Sequence, residues 1–320
     1  MQSYSFAPVE SELALVEENL KAIAAVEYPW LAELLSYILA SGGKRIRPAL
    51  TLLAGNFHSY NLNLLIPMAT GIELLHTATL IHDDTIDSSL MRRGKPTTTS
   101  IWGGGIATLT GDYLFAKAAE LVSGTGNTRA TMLFSQTLVT ICNGELEQSF
   151  TSFRDDQNRE SYFRRIGNKT ASLFSTATES AGILSEAPEE MVQALQRYGY
   201  ALGIAFQIVD DILDFVGQDE ELGKPAGSDL LQGTMTLPAL LLQEQHPDDN
   251  PITGIFKDED KEQNLKLAID MICNSEIISE SYHIAQSFAS RAKQSLELLP
   301  PNLCGRTLLE LADYVVERKK

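Results

Sequence analysis

An all-α fold, a single large helical bundle, is predicted for this 320-residue chain by three observations. Apolar residues recur at spacings of three and four along most of the chain, alternating strand-like runs are scarce, and the prolines fall where helices start or connections lie. The repeat Leu13, Val16, Leu20 and Ile23 predicts a helix near the amino end. Pro29, Pro48 and Pro67 sit early in the next segments, as proline suits a first turn whose N–H has no partner. None of the 12 prolines lies between Thr97 and Ala187, and glycine-rich breaks at 103–105 and 123–127 divide that stretch into three long helices. Leu195, Tyr198, Leu202 and Ile204 mark a further helix running to Asp214, with Pro188 before it and Pro238 opening a later one. Connections are expected at 91–102, 217–233 and 244–258. With no linker and no internal repeat, residues 1–320 read as one domain.

Composition narrows the function. Hydrophobic residues at 44% and charged residues at 21% are ordinary for a globular protein. A net charge of −17 argues against nucleic acid or an anionic membrane as partner, so any anionic substrate must be held by local cations. Cys142, Cys273 and Cys304 are far apart and form no CxxC pair, which suits a reducing cytoplasm. The start of the chain lacks the basic and apolar regions of a signal peptide, and no run of about 18 apolar residues predicts a membrane span.

The segment Leu80-Ile81-His82-Asp83-Asp84-Thr85-Ile86-Asp87 closes an apolar helix. Spacings of three and four put the carboxylates of Asp83, Asp84 and Asp87 on one face. Like charges so placed destabilise an isolated helix by roughly 0.2–0.5 kcal/mol per pair, which calls for compensation. Ile208-Val209-Asp210-Asp211-Ile212-Leu213-Asp214 repeats the arrangement on a second apolar helix. One such cluster in an acidic chain is often only a solvated helix end. Two that interrupt apolar segments are another matter, because buried carboxylates need cations. Mg²⁺ suits them: it takes oxygen ligands and binds through one or two carboxylates, water and substrate phosphates. The chemistry calls for a diphosphate.

Cations stand where such a ligand needs them. Arg92-Arg93-Gly94-Lys95-Pro96 follows the first cluster, and Gly42-Gly43-Lys44-Arg45-Ile46-Arg47-Pro48 precedes a helix start. Guanidinium forks and backbone N–H groups in such places hold phosphate. His76 lies seven residues, about two turns, before Asp83 on nearly the same face. A lone histidine in an apolar helix is more often a core residue, and only these neighbours make it a candidate. Lys169 and Thr170, in Gly167-Asn168-Lys169-Thr170-Ala171-Ser172, and Gln207, one turn before Asp211, are candidates to point polar groups at the same ligand. Lys224 sits in the connection after the second cluster, where a lid is expected.

At this point the chain resembles the trans-polyprenyl diphosphate synthases. Gly-Gly-Lys-Arg-Ile-Arg-Pro, His-x5-His-Asp-Asp-Thr-Ile-Asp, Arg-Arg-Gly, Gly-Asp-Tyr-Leu, Lys-Thr-Ala, Phe-Gln-x-x-Asp-Asp-Ile-Leu-Asp and Gly-Lys-Pro occur in family order from about Gly42 to Pro238. The end, Leu311-Ala312-Asp313-Tyr314-Val315-Val316-Glu317-Arg318, is also similar. The resemblance implies mostly antiparallel helices around a central cavity, usually in a homodimer, with a heteromer as the other arrangement. It implies that Asp83, Asp84, Asp87, Asp210, Asp211 and Asp214 hold three Mg²⁺ ions on an allylic diphosphate, whether geranyl, farnesyl or geranylgeranyl. Lys44, Arg47, His76 and Arg93, with Arg45 in the same knot, would take isopentenyl diphosphate. Arg92, Lys169 and Lys224 would take the allylic diphosphate, and Thr170 and Gln207 would face the reacting carbons. One departure is visible: Gly233-Thr234-Met235-Thr236 stands where many relatives carry Gly-Lys-x-Thr, so one lid cation is absent.

Product length should follow from what lies below the reacting carbons. Thr79 and Ala78 are four and five residues before Asp83, roughly 6–7.5 Å down the helix axis. Short-product relatives tend to carry an aromatic there, so Ala78 implies six or more isoprene units, a product destined for a membrane. Phe134 on a neighbouring helix is either a deeper floor or ordinary core. A class I terpene cyclase and a non-catalytic partner subunit are the rival readings. The first leaves the Lys44 to Arg47 knot unexplained, and the second is expected to have lost an aspartate cluster.

Overall fold

The computed structural model describes residues 4–40, 43–92, 94–217 and 226–318. Its first half contains α1 (Glu10–Ile23), α2 (Pro29–Leu39), α3 (Ile46–Ala54), α4 (Leu62–Ile86), α5 (Thr98–Trp102), α6 (Gly104–Gly124) and α7 (Thr128–Thr151). Then come α8 (Arg159–Ile166), a π-helical turn (Gly167–Ala171), α9 (Ser172–Leu184), α10 (Glu189–Val216) and α11 (Ser228–Leu231). The chain continues through α12 (Leu237–Gln245), α13 (Ile252–Phe256), α14 (Lys261–Cys273), α15 (Ile277–Ser295) and α16 (Leu303–Glu317). Among the described residues the only strands are β1 (Met91–Arg92) and β2 (Lys95–Pro96), an antiparallel pair. The all-helical class predicted from the sequence therefore holds.

Two compact units result. The first comprises Met1–Leu138, Leu173–Gly199 and Lys293–Leu311, and the second Val139–Ser172, Tyr200–Ala292 and Ala312–Lys320.

In the first unit α4 is the core helix. Leu65, Met68, Ile72, Leu75 and Ala78 are wholly buried, and burying each large side chain contributes roughly 1.5–3 kcal/mol. Its start differs from the prediction: Asn61 caps it by accepting from the N–H of Asn63 at 3.1 Å, well ahead of Pro67. Pro67 inside the helix forfeits only the bond to the carbonyl of Asn63, an exposed residue. By length and composition α4 would cross a membrane, with a mean hydropathy of 1.5, but 67% of that window is buried in the protein, as in a core helix. Glu73, His76 and its threonines are what kept it from reading as a continuous apolar run. Packing against α6 depends on glycine, since a Cβ on Gly71 would stand 3.2 Å from the carbonyl oxygen of Ala118 and 2.8 Å from Val122.

The second unit is built on Ile204, Ile208 and Ile212 of α10, packed with Leu237, Leu241, Ile272, Ile277 and Ala285. Asn158 and Ser161 form a reciprocal capping box that starts α8. Further along α8, the buried Arg165 donates to Gln157 at 3.0 Å and to the carbonyl oxygen of Met235 at 2.5 Å. Thus the 233–236 segment, which lacks the lysine of many relatives, is an anchored part of the core here, with Met235 and Thr236 buried.

Three other expectations are adjusted. The third long helix of the 97–187 stretch is interrupted at 152–158 and then carries the π-helical turn. The 91–102 connection contains the hairpin and α5, and the connections at 217–233 and 244–258 contain α11 and α13. Elements of two to five residues are too short to leave a period in the sequence.

Candidate active site

The first acidic cluster ends α4. Asp84 points inward, its side chain only 8% exposed, and Arg92 from β1 grips both of its oxygens at 2.8 and 2.9 Å. Burial raises the Asp84 carboxyl, Arg92 pulls it back, and Asp83 and Asp87 push it up again. Asp83 is half-buried and Asp87 exposed. Just before them, His82 lies 3.0 Å from the carbonyl oxygen of Thr108 and 3.6 Å from Asp112. Gly111 permits this, for a Cβ there would fall 2.2 Å from the ring, which accounts for the Gly-Asp pair in Gly111-Asp112-Tyr113-Leu114.

A pocket in the same unit is lined by Tyr37, Arg45, His76, Asp84, Arg92 and Lys95, among others. The predicted Arg45, His76 and Arg92 are thus brought together, and Lys95 joins them. Arg45 reaches it through a left-handed backbone, φ 49°, and its guanidinium is held by Glu17 and by Glu73 at 2.6 Å. Arg47 lies instead over the Phe174 ring at 4.6 Å, and Lys44 is exposed. Arg93 and Lys224 lie outside the described residues.

The second cluster ends α10 in the second unit. Asp210 is the open member, its side chain 40% exposed, and Arg318 of the carboxyl-terminal segment donates to it at 2.6 Å. Arg318 also donates to the carbonyl oxygen of Phe206 and lies over that ring at 3.9 Å. Asp211 is buried, with the Tyr162 hydroxyl on one oxygen at 2.6 Å and the Gln207 amide on the other at 2.8 Å. Asp214 accepts from the Ser228 hydroxyl and the N–H of Asp229. The π-helical turn presents Lys169 and Thr170: Lys169 meets Glu145 at 2.6 Å, and Thr170 donates to Gln207 at 2.6 Å. A π turn inside a helix is a common mark of a functional position. Gly144 lets α7 pass it closely, with only 3.0 Å between a would-be Cβ and the Lys169 nitrogen.

Burial pushes the Asp211 carboxyl up to about 7, and Asp229 adds to the effect against Tyr162, Gln207 and Arg165. A carboxyl raised on folding holds a proton that the unfolded chain has lost, so its contribution to stability is present at low pH and disappears as pH rises through about 7. In metal-free protein the thermal midpoint of Asp211→Asn should therefore gain on that of the unsubstituted chain between pH 5 and 8. Parallel midpoint-against-pH curves would contradict the shift.

Among the described residues no three His, Cys, Asp or Glu side chains are gathered so as to hold a metal ion by themselves. Mg²⁺ needs no such cage, because phosphate and water complete its shell. Carboxylate oxygens such as those of Asp83, Asp87 and Asp210 are hard donors of the kind it prefers. Sequence reading missed Tyr37 and Tyr162 as site residues, and it noted Lys95 only within the basic loop and Arg318 only as part of a familiar ending.

An all-helical protein with two aspartate clusters, each on the end of a core helix beside an arginine, is the class that fold and site define. The chain belongs to the polyprenyl synthetase family, whose model matches residues 28–272. It is 40% identical to heptaprenyl diphosphate synthase component 2 of Geobacillus stearothermophilus over 98% of each chain. With solanesyl-diphosphate synthase 2, chloroplastic, of Oryza sativa it shares 36% identity, covering 97% of this chain and 78% of that one. The crystal structure of heptaprenyl diphosphate synthase from Staphylococcus aureus superposes with a TM-score of 0.93 at 34% identity over 100% of both chains.

Proposed function

We propose that this protein is a Mg²⁺-dependent trans-polyprenyl diphosphate synthase. It condenses isopentenyl diphosphate head to tail onto an allylic diphosphate (geranyl, farnesyl or geranylgeranyl) and releases an all-trans product of six or more isoprene units, in the range from heptaprenyl to solanesyl. The reading is carried by the repeated design of the two helix ends, in which an accessible aspartate precedes or follows buried ones already satisfied by Arg92, Tyr162, Gln207 and Ser228. Family membership and the relatives' names support it.

In this reading Asp83, Asp87 and Asp210 reach the metal ions, and Asp84, Asp211 and Asp214 hold the helix ends that present them. Bound Mg²⁺ neutralises charge that builds on the leaving diphosphate. Arg92 and Lys169 exchange their present carboxylate partners for phosphate oxygens, and Lys224 is the third cation for the allylic diphosphate. Lys44, Arg45, Arg47, His76 and Arg93 position isopentenyl diphosphate. Thr170 and Gln207 face the allylic carbons with oxygen atoms, which favours positive charge there. The allylic carbon–oxygen bond breaks, the alkene attacks to form a carbon–carbon bond, and the proton lost goes to the departing diphosphate. Ala78 leaves the space below open and Phe134 closes it further down. Phe134→Ala is expected to lengthen the products, and an unchanged chain-length profile by mass analysis would remove Phe134 from this role.

Residues 1–320 act as one domain in the cytoplasm, as the unpaired Cys142, Cys273 and Cys304 favour, and hand the product to a membrane that the chain itself does not cross. Exposed Ile106, Leu109 and Met132 favour a homodimer. A second reading, a catalytic subunit that needs a partner, is favoured by the name "component 2" of two relatives. One assay tests both: purified protein with Mg²⁺, farnesyl diphosphate and labelled isopentenyl diphosphate. Extended diphosphates are expected. Cyclic hydrocarbons would indicate a terpene cyclase, and turnover only after addition of a second chain would indicate the heteromer.

A further inference from the structure

We propose that Tyr162 and Asp211 are positioning residues that fix the direction of a hydrogen-bond chain, so that Thr170 turns lone pairs and not its proton toward the reacting carbons. The inference rests on the reading that Thr170 and Gln207 face those carbons.

The direction follows from what each group is able to give. A side-chain NH₂ only donates, so the Gln207 nitrogen set against Asp211 fixes the direction there. That nitrogen stands at 2.8 Å, and the other partner of Asp211 is the Tyr162 hydroxyl at 2.6 Å. An amide that turns its NH₂ toward Asp211 must turn its carbonyl oxygen away, and that oxygen accepts from the Thr170 hydroxyl at 2.6 Å. The proton of Thr170 is thereby consumed. Its remaining lone pairs, with those of the Gln207 oxygen, are what the chain offers to a ligand, and a developing carbocation is stabilised by lone pairs and opposed by an O–H or N–H proton.

Tyr162 is the far end of the chain and the part least able to move. It is 1% exposed, its ring packs edge-on against Phe163 at 5.2 Å, and the Arg165 guanidinium stands 5.6 Å from its centre. Removing its hydroxyl leaves one buried oxygen of Asp211 unsatisfied. The carboxylate, no longer held by Tyr162, rotates and draws the Gln207 NH₂ with it, so the Gln207 oxygen moves off the Thr170 hydroxyl.

The test is Tyr162→Phe in the full chain, assayed with Mg²⁺, farnesyl diphosphate and isopentenyl diphosphate. The expected result is a fall in kcat of roughly 10- to 100-fold, the size usual for loss of an outer supporting contact, with KM for isopentenyl diphosphate and the half-saturating Mg²⁺ concentration unchanged. In a Gln207→Leu background the same change should cost nothing more, because the chain is already cut. A kcat within twofold of the unsubstituted protein, or losses that multiply in the double variant, would overturn the proposal. If Tyr162→Phe fails to fold, Asp211→Asn tests the same chain, since its amide no longer dictates which end of Gln207 it meets. It should give the same selective loss of kcat, and a loss confined to KM would overturn the proposal. Failure of the unsubstituted protein to extend farnesyl diphosphate, alone or with a second chain, would overturn the functional reading itself and this inference with it.

Discussion

Asp210→Asn should lower kcat for prenyl transfer by about a thousandfold while leaving the helical content intact. Asparagine keeps the volume of the side chain and an oxygen that accepts from Arg318, so the anchoring of the carboxyl-terminal segment is retained. What disappears is one negative charge at the accessible corner of the second cluster, and with it the hard donor proposed for Mg²⁺. The change should also raise the Mg²⁺ concentration needed for half-maximal rate. Steady-state assays over a Mg²⁺ series, with circular dichroism as a check on folding, decide the matter. Activity within tenfold of the unsubstituted chain would show that Asp210 is not a metal ligand.

Ala78→Tyr is expected to produce the second large effect, a collapse of the product distribution to chains of three or four isoprene units. Ala78 is wholly buried in the core helix, five residues before Asp83, so a phenol ring there projects roughly 7.5 Å down the axis from the acidic cluster. A growing isoprenoid meets it after few additions. The added bulk costs about 1–3 kcal/mol of stability, which a domain of this size tolerates. Product masses from reactions primed with geranyl diphosphate give the readout, and a distribution still centred on six or more units would place the growing tail elsewhere.

The sequence disclosed what depends on local spacing. Helices, the two acidic clusters and the basic knots are all written in short local intervals, and most helices stand where those intervals put them, although α4 starts earlier and the third long helix of 97–187 is broken. Partners brought from far along the chain were hidden. Arg318 meets Asp210 across 108 positions and Tyr162 meets Asp211 across 49, separations that no periodic pattern encodes. Glu17 and Glu73 claim Arg45, so a cation counted as ready for phosphate stands in an ion pair. The hairpin of 91–96 escaped notice because two residues per strand carry no alternation, though Gly94 at φ 74° is the residue such a turn requires. The π-helical turn left no trace either, since one additional residue in a helical segment resembles an ordinary drift of the apolar stripe.

That additional residue has a geometric consequence. A π-helical turn takes up its additional residue locally, so the run that carries Lys169 and Thr170 bulges out of the spiral begun by α8. Shortening Gly167–Ala171 by a single amino acid would restore a regular spiral and preserve most of the packing on either flank, yet it would swing Lys169 and Thr170 away from Glu145 and Gln207. Loss of a single codon would therefore separate the scaffold from its chemistry.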